Sequence, residues 1–204
     1  MYLSQQSEID ALSKKLASSR RITILTGSGV SAASGIPTFR GSHGHWNSYR
    51  PEQLATEEAF ERNPELVWQW YDWRRQNIAN SKPNLAHETL ATWQNRLRPI
   101  TIITQNVDGL HQRAGSQDVI EFHGSIWELS CWNRCSRSRK KWINKITPLT
   151  NLPPACEGCG GPARPGVVWF GESIDPHILG RSLIATSCEL FLIVGTSSLV
   201  HPAA

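Results

Sequence analysis

Four short runs of β-branched and aliphatic residues constrain the fold more than any other feature of this sequence. They span residues 21–26, 100–104, 119–122 and 190–194, with long stretches of other sequence between most of them. Strands joined by long connections pair in parallel through crossovers rather than as hairpins, and parallel sheets are covered by helices on both faces. The sequence therefore predicts an α/β fold built on a parallel sheet.

Length and composition fit one globular domain. The chain has 204 residues, of which 39% are hydrophobic and 19% are charged, so it can bury a sizeable core without disulfides. Its longest apolar runs, such as residues 190–194, fall far short of the roughly 18 residues that a membrane span needs. Residues 1–21 lack the apolar stretch of a signal peptide. We predict a monomeric cytoplasmic protein with no membrane partner.

The net charge is +4, and much of the excess lies in one basic run between Arg134 and Lys141. A basic run can contact nucleic acid or an acidic partner. This one has no interleaved aromatic residues, so a solvated loop is the favoured interpretation and nucleic-acid binding is not predicted.

Two segments predict a smaller part within the same domain, which spans residues 1–204. Residues 51–97 place aromatic and aliphatic side chains at three- and four-residue steps, broken by Pro64 and Pro83, which is typical of several helices. Residues 128–165 then interrupt the α/β pattern with paired cysteines and basic residues, which indicates an inserted module.

Four cysteines in this module have the spacing of metal ligands. Cys131 and Cys135 form one pair, and Cys156 and Cys159 form the other. Two such pairs can hold one tetrahedral Zn²⁺ with no open position, so the ion is structural. Two disulfides or four ordinary thiols are the alternative, which an unexported chain disfavours. Cys188 is interpreted as a core thiol.

A glycine turn follows the first strand. Gly27-Ser28-Gly29 can bring backbone N–H groups against a phosphate. The next glycine is Gly35, so the ordinary dinucleotide fingerprint fails. From these residues alone, a phosphate site and a structural turn are equally favoured.

Five longer strings occur in one order along the chain. They read GSGVSAASGIPTFRG (27–41), TQNVDGLH (104–111), EFHGS (121–125), VVWFGE (167–172) and GTSS (195–198). Together they resemble the motifs of the sirtuins, which are NAD-dependent protein-lysine deacylases, and the resemblance runs from about Arg21 to Ala204. It implies a Rossmann-like sheet with helices on both faces, a small zinc-binding part, and a cleft that takes NAD⁺ and acyl-lysine from opposite sides.

The resemblance also implies residue roles. His123 would be the catalytic base, a role that suits an imidazole near neutral pH. Asn106 and Asp108 would contact nicotinamide, although an Asn-x-Asp after a strand is also an ordinary helix cap. The implied cofactor-binding residues are Gly27, Ser28, Gly29, Ser31, Thr38, Phe39, Arg40, Gln105, Asn106, Asp108, Gly195, Thr196 and Ser197.

Tyr71 and Arg74 resemble a pair found in sirtuins that remove succinyl, malonyl or glutaryl groups. Spaced three apart on a helix, the two side chains project from one face, and a phenol beside a guanidinium matches a carboxylate. Ala55 is small where such a pocket needs room. Without the resemblance, Arg74 and Arg75 would be interpreted as surface charges. Open alternatives are a plain deacetylase or ADP-ribosyltransferase of the same family, and an inactive binder of NAD or ADP-ribose.

The segment Val168-Trp169-Phe170-Gly171 resembles the substrate-binding strand of the family, beside which an extended acyl-lysine peptide can add through main-chain hydrogen bonds. In sirtuins the chain continues beyond the GTSS string into further strands, whereas this sequence ends at Ala204. We therefore expect residues 190–194 to form an exposed sheet edge and NAD⁺ affinity to be weakened.

Overall fold

The computed structural model describes residues 2–38, 51–96 and 99–203. The helices are α1 (Tyr2–Ser18), α2 (Pro51–Leu54), α3 (Glu57–Arg62), α4 (Pro64–Asn80), α5 (Leu85–Arg96), α6 (Leu110–Arg113) and α7 (Pro176–Thr186). The strands are β1 (Ile22–Thr26), β2 (Ile100–Thr104), β3 (Val119–Glu121), β4 (Gly124–Cys131), β5 (Trp142–Ile143), β6 (Ala163–Val167) and β7 (Leu190–Val194). A 3-10 helix, Ser28–Ser34, follows β1.

The four predicted runs form one parallel sheet in the order β3-β2-β1-β7. Ile24 of β1 is in register with Ile102 on one side and Leu192 on the other. All five residues of β1 are buried because it lies inside the sheet. The prediction of a parallel α/β sheet is confirmed.

Alternate residues of these strands point to opposite faces, and each face has its own cluster. Ile24 and Ile102 pack with Leu90 and Trp93 of α5. On the other face, Leu25 and Ile103 pack with residues that include Ile178 of α7. Helices therefore cover both faces, and α5 packs against the large sheet.

The two prolines named above fall where helices end or begin. Pro64 is the first residue of α4, and the Asn63 side chain accepts a hydrogen bond from Leu66 N at 3.0 Å. Pro83 lies in the short link between α4 and α5. Proline lacks an N–H and favours the first helical turn, so both positions are consistent with its chemistry.

A second, antiparallel sheet in the order β5-β4-β6 packs against α2, α3 and α4. The largest hydrophobic cluster lies between them and includes Phe60, Trp68, Ile126 and Leu129. The Trp68 indole N–H also donates to the carbonyl of Ala163 at 2.7 Å. Helices α2 to α4 of the predicted segment 51–97 thus share a core with the cysteine module, whereas α5 of that segment belongs to the large sheet.

No helix in the described ranges is long and apolar enough to cross a membrane. Strand β7 forms one edge of the large sheet, where Phe191 and Ile193 are 37% and 57% exposed. The expected exposed edge at residues 190–194 is therefore present in the described part of the chain.

Candidate active site

A cavity of about 400 Å³ lies at the carboxyl ends of the four parallel strands. The carboxyl ends of parallel strands meet at one edge of a sheet, so residues that are distant in sequence converge there. Its wall comprises Gly27, Ser28, Gly29, Thr38, Ala55, Trp70, Tyr71, Arg74, Gln105, Asn106, Val107, His123, Val167, Val168, Trp169, Phe170, Gly171, Glu172, Ile174, Gly195, Thr196, Ser197, Val200, His201 and Pro202.

Two glycine loops pack against each other at one end of the cavity. Gly29 N donates to the carbonyl of Gly195 at 2.8 Å. A Cβ added to Gly27 would lie 2.6 Å from Thr196 Cβ, and one added to Gly29 would lie 2.8 Å from Gly195 O. The close approach of the loops therefore requires glycine at both positions, and it leaves backbone without side chains on this part of the wall, which a phosphate group can approach closely.

Ser31 and Asp108 hold Asn106 and do not line the cavity. The Ser31 hydroxyl donates to Asp108 Oδ2 at 2.7 Å and accepts from Asn106 Nδ2 at 3.1 Å. Asp108 Oδ1 also accepts from Leu110 N at 2.8 Å, so the carboxylate holds the start of α6 as well. Since Nδ2 faces Ser31, Oδ1 of Asn106 is the amide atom turned away from this network.

Behind these residues lie two buried histidines that the sequence analysis did not assign. The rings of His87 and His111 are 4.9 Å apart between centroids. His87 Nδ1 accepts from Asn84 N at 3.3 Å, and His111 Nε2 lies 3.0 Å from Thr26 Oγ1. Burial, together with the neighbouring His87, lowers the pKa of His111 to about 4. Burial also lowers the pKa of His87. His87 lies on α5 and His111 on α6, so no local sequence pattern predicts that the two rings are in contact.

His123 follows β3 and lines the cavity with one ring nitrogen fixed. Its Nδ1 lies 3.1 Å from the carbonyl oxygen of Gln105. A carbonyl only accepts, so Nδ1 carries the proton and Nε2 holds the lone pair. Burial lowers the pKa of His123, partly offset by that hydrogen bond, and the ring is therefore neutral at neutral pH and able to accept a proton.

Tyr71 and Arg74 also lie on the wall of the cavity. They are 2% and 6% exposed. The Arg74 Cζ is 4.7 Å from the centroid of the Trp70 ring and 5.7 Å from that of Tyr71. Ala55 is also buried on this wall. Burial lowers the pKa of Arg74 from its ordinary value, while electrostatic interactions with Tyr71 and Asp108 oppose that shift.

The alternative interpretation of Arg74 and Arg75 as surface charges is wrong, because both side chains are buried. Arg75 points away from the cavity and donates to the Asn144 side chain at 2.8 Å and to Ile146 O at 3.0 Å. Neighbouring arginines on one helix thus have different tasks, which follows from the 100° turn between successive residues.

Residues 168–171 form a loop after β6 rather than a strand. Val168 N donates to His123 O, and Phe170 N donates to Ala55 O, both at 2.9 Å. Trp169 N donates to Glu172 Oε2 at 2.7 Å. This loop therefore connects the segment bearing His123 to the one bearing Ala55.

The four paired cysteines converge at the small sheet. Their sulfur atoms all lie within 4.8 Å of one another, with Cys131 to Cys159 at 3.6 Å and Cys135 to Cys156 at 3.8 Å. All four thiols are free, so the disulfide alternative is wrong. A tetrahedron with Zn–S bonds of about 2.3 Å has sulfurs roughly 3.8 Å apart. The site fits a structural zinc ion.

The family model for the Sir2 family matches residues 27–202. The chain belongs to the Sir2 family. A relative from Aquifex aeolicus, named NAD-dependent protein deacylase, is 54% identical over 184 residues, which cover 90% of this chain and 75% of the relative. A protein of the same name from Daphnia pulex is 42% identical, covering 97% of this chain and 81% of that protein.

Solved Sir2 structures have the same fold. A Sir2 homologue mutant in complex with ADP-ribose has a TM-score of 0.89 and 43% identity, covering 95% of this chain and 76% of the other. A Sir2 homologue in complex with NAD has a TM-score of 0.85 and 44% identity, covering 95% and 75%. A Sir2 variant with a deacetylated p53 peptide and 3'-O-acetyl ADP-ribose has a TM-score of 0.82 and 32% identity, covering 96% and 79%.

In this Sir2 chain, most of the predicted site residues meet at one cavity. Ser31 and Asp108 lie in the layer behind it, and Phe39 and Arg40 are outside the described residues. The wall also includes residues to which the sequence analysis gave no role in the site. They are Trp70, Val107, Val167, Glu172, Ile174, Val200, His201 and Pro202.

Proposed function

We propose that this Sir2 chain removes succinyl, malonyl or glutaryl groups from protein lysine in preference to acetyl. The broader activity, NAD-dependent deacylation of protein lysine, follows from membership of the Sir2 family and from relatives named for it. One observation carries the acyl preference: Tyr71 and Arg74 are buried on the wall of the cavity that also contains His123. Monomeric state and cytoplasmic location stay predictions.

The residues of the cavity divide the reaction between them. Bound NAD⁺ would supply a ribose carbon at which the acyl oxygen replaces nicotinamide and a ribose hydroxyl that takes the acyl carbon, with one water consumed as free lysine and O-acyl-ADP-ribose are released. His123 takes a proton from a ribose hydroxyl at Nε2, because Gln105 occupies its Nδ1. Asn106, held by Ser31 through its Nδ2, would accept a hydrogen bond from the nicotinamide amide at its Oδ1. The loops that contain Gly27 and Gly195 would hold the diphosphate.

A free carboxylate on the acyl group distinguishes the preferred substrates from acetyl-lysine. Arg74 is buried beside the Trp70 and Tyr71 rings, and its guanidinium stays protonated at neutral pH. A hydrogen bond to a charged group contributes about 1.5–3 kcal/mol, which corresponds to roughly 10- to 150-fold in kcat/KM. A buried cation without an acidic partner in the substrate costs desolvation energy, so acetyl-lysine gains nothing from Arg74.

The proposal is tested by measuring kcat/KM for succinyl-, malonyl- and acetyl-lysine versions of one peptide with NAD⁺, following products by mass. We expect the two dicarboxylic acyl groups to be removed faster than acetyl. Arg74→Met should lower kcat/KM for succinyl-lysine at least 10-fold while changing that for acetyl-lysine far less.

The matched control is Arg62→Met, which removes an exposed positive charge from α3 without altering the cavity. It should leave the succinyl-to-acetyl ratio of the wild type unchanged. Equal rates for acetyl and succinyl in the wild type would refute the acyl preference. Release of ADP-ribosylated peptide instead of O-acyl-ADP-ribose, or no product at all, would refute deacylation by this chain.

A further inference from the structure

We infer that Trp169 is a positioning residue for acyl selectivity, which orients the Tyr71 hydroxyl so that this hydroxyl donates a hydrogen bond to the acyl carboxylate. This inference rests on the proposed function and assigns a cause to it. Trp169 lies 98 positions from Tyr71 in the chain, in the loop after β6, and both residues line the cavity.

One hydrogen bond sets the polarity of the phenol. Trp169 Nε1 lies 2.9 Å from Tyr71 Oη. An indole N–H can only donate, so the phenol oxygen must accept. Among the described residues no group accepts a hydrogen bond from Tyr71, and burial raises the pKa of the phenol, which keeps its proton in place. The hydroxyl hydrogen is therefore available to a substrate acceptor in the cavity.

Trp169 itself is held rigidly. The Arg164 Cζ lies 3.7 Å from the centroid of its ring, and the Phe60 ring centroid is 5.4 Å away. Arg164 also pairs with both carboxylate oxygens of Glu172, whose Oε2 accepts from Trp169 N. Stacking, ion pair and main-chain hydrogen bond together fix the indole in one orientation before substrate binds.

Fixing a donor before binding improves selectivity because no conformational entropy of that donor is then lost when the substrate binds. A carboxylate in the pocket then meets the Tyr71 hydroxyl as a donor of defined direction, on the same wall as the Arg74 guanidinium. An acetyl group has no acceptor at that depth, so it loses nothing when the phenol is free to turn. Loss of the indole N–H should consequently reduce the succinyl-to-acetyl ratio.

Trp169→Phe removes the N–H while keeping an aromatic ring. We expect the ratio of kcat/KM for succinyl- and acetyl-lysine to fall about 5- to 13-fold, in line with about 1–1.5 kcal/mol for one hydrogen bond. Tyr71→Phe should lower the ratio at least as much, and the double variant should match Tyr71→Phe alone, since both changes remove one interaction.

Trp169 is buried, so Trp169→Phe can also disturb packing. Replacing Trp169 with benzothienylalanine, a sulfur isostere of tryptophan without the N–H, removes only the hydrogen bond and should give the same fall in ratio. Trp132→Phe is the matched control, because Trp132 lies 6.4 Å from Trp169 between ring centroids and is not on the wall. It should keep the wild-type ratio.

The outcomes separate the two proposals. A wild type without preference for succinyl-lysine defeats the proposed function and this inference with it. A wild type that prefers succinyl-lysine, combined with an unchanged ratio in the benzothienylalanine variant, overturns only the role of Trp169. Additive effects of Trp169→Phe and Tyr71→Phe would overturn it as well.

Discussion

His123 Nδ1 lies 3.1 Å from the carbonyl oxygen of Gln105, and this contact fixes the tautomer of the ring. Gln105 is the first residue after β2, and its own side chain donates to Thr196 Oγ1 at 2.9 Å. Because β2 and the segment after β7 are both anchored in the sheet, the orientation of His123 depends on rigid backbone rather than on a mobile side chain.

Removal of His123 should abolish proton transfer more than binding. A positioned general base contributes about 10²- to 10⁴-fold, so His123→Ala should lower kcat by that factor. The Kd for NAD⁺, measured by calorimetry, should change only a few-fold. His177→Ala, which removes an exposed histidine at the start of α7, should behave as the wild type. A His123→Ala enzyme with more than a tenth of the wild-type kcat would contradict the assignment.

The pH dependence of deacylation should follow the same residue. Burial lowers the pKa of His123 below the ordinary value of 6.5. A base works in its neutral form, so activity is present above the pKa of His123 and is lost as the pH falls through it. We expect the acid limb of kcat/KM, which reports the free enzyme, to have its midpoint below pH 6.5. A midpoint above pH 7 would show that another group limits the rate.

The large sheet could be predicted because its evidence is local. Residues 21–26 and 100–104 are β-branched runs that can be buried on both faces only in a parallel sheet. His123 could be placed at the cavity for a similar reason, since residues after parallel strands meet at one edge. The spacing of the cysteine pairs likewise anticipated four converging sulfurs.

Contacts between distant elements left no such signal. The Trp169–Tyr71 hydrogen bond joins a loop to a helix, and neither periodicity nor motif order specifies it. The same holds for the close packing of Gly27 against Thr196. This packing requires glycine at position 27 independently of phosphate binding. The motif that contains Asn106 and Asp108 likewise did not show that Asn106 lines the cavity while Asp108 supports it from behind.

The buried His111 should make the fold acid-sensitive. Its pKa in the folded state is about 4, against an ordinary 6.5. The folded state thus favours the neutral ring. The contribution of His111 to the free energy of unfolding is therefore fully present above pH 6.5 and is lost as the pH falls toward 4. Between pH 7 and pH 5 this amounts to about 2 kcal/mol.

His111→Gln tests this because a glutamine amide can keep the donor to Thr26 and does not titrate. The loss in free energy of unfolding between pH 7 and pH 5, measured by urea titration, should be smaller in this variant than in the wild type. His177→Gln is the control and should keep the wild-type loss. An identical loss in His111→Gln would exclude His111 as a cause.

The cysteine cluster should bind one zinc ion that the fold needs. Cys131 and Cys156 are buried, and all four sulfurs lie within 4.8 Å of one another. Loss of the ion would therefore remove the one ligand that joins the two cysteine pairs. We expect one zinc per chain by elemental analysis, and a melting temperature that falls by several degrees after chelation and recovers on adding Zn²⁺. Cys156→Ser should lose zinc, whereas Cys188→Ser should retain it. A zinc-free chain with unchanged stability would contradict a structural role.

Glu121 should produce a loss of stability at alkaline pH. It ends β3, and burial, with Glu128 nearby, raises its pKa from 4.5 to about 7, although a hydrogen bond from Gln112 opposes the shift. The folded state thus favours the neutral acid. The contribution of Glu121 to the free energy of unfolding is therefore fully present below pH 4.5 and is lost as the pH rises through 7. Glu121→Gln mimics the neutral acid and should raise the free energy of unfolding at pH 8 by about 1–3 kcal/mol. The difference should vanish near pH 4.5. Glu8→Gln, on the exposed face of α1, should track the wild type at both pH values, and a Glu121→Gln effect that does not depend on pH would rule out titration of Glu121 as its cause.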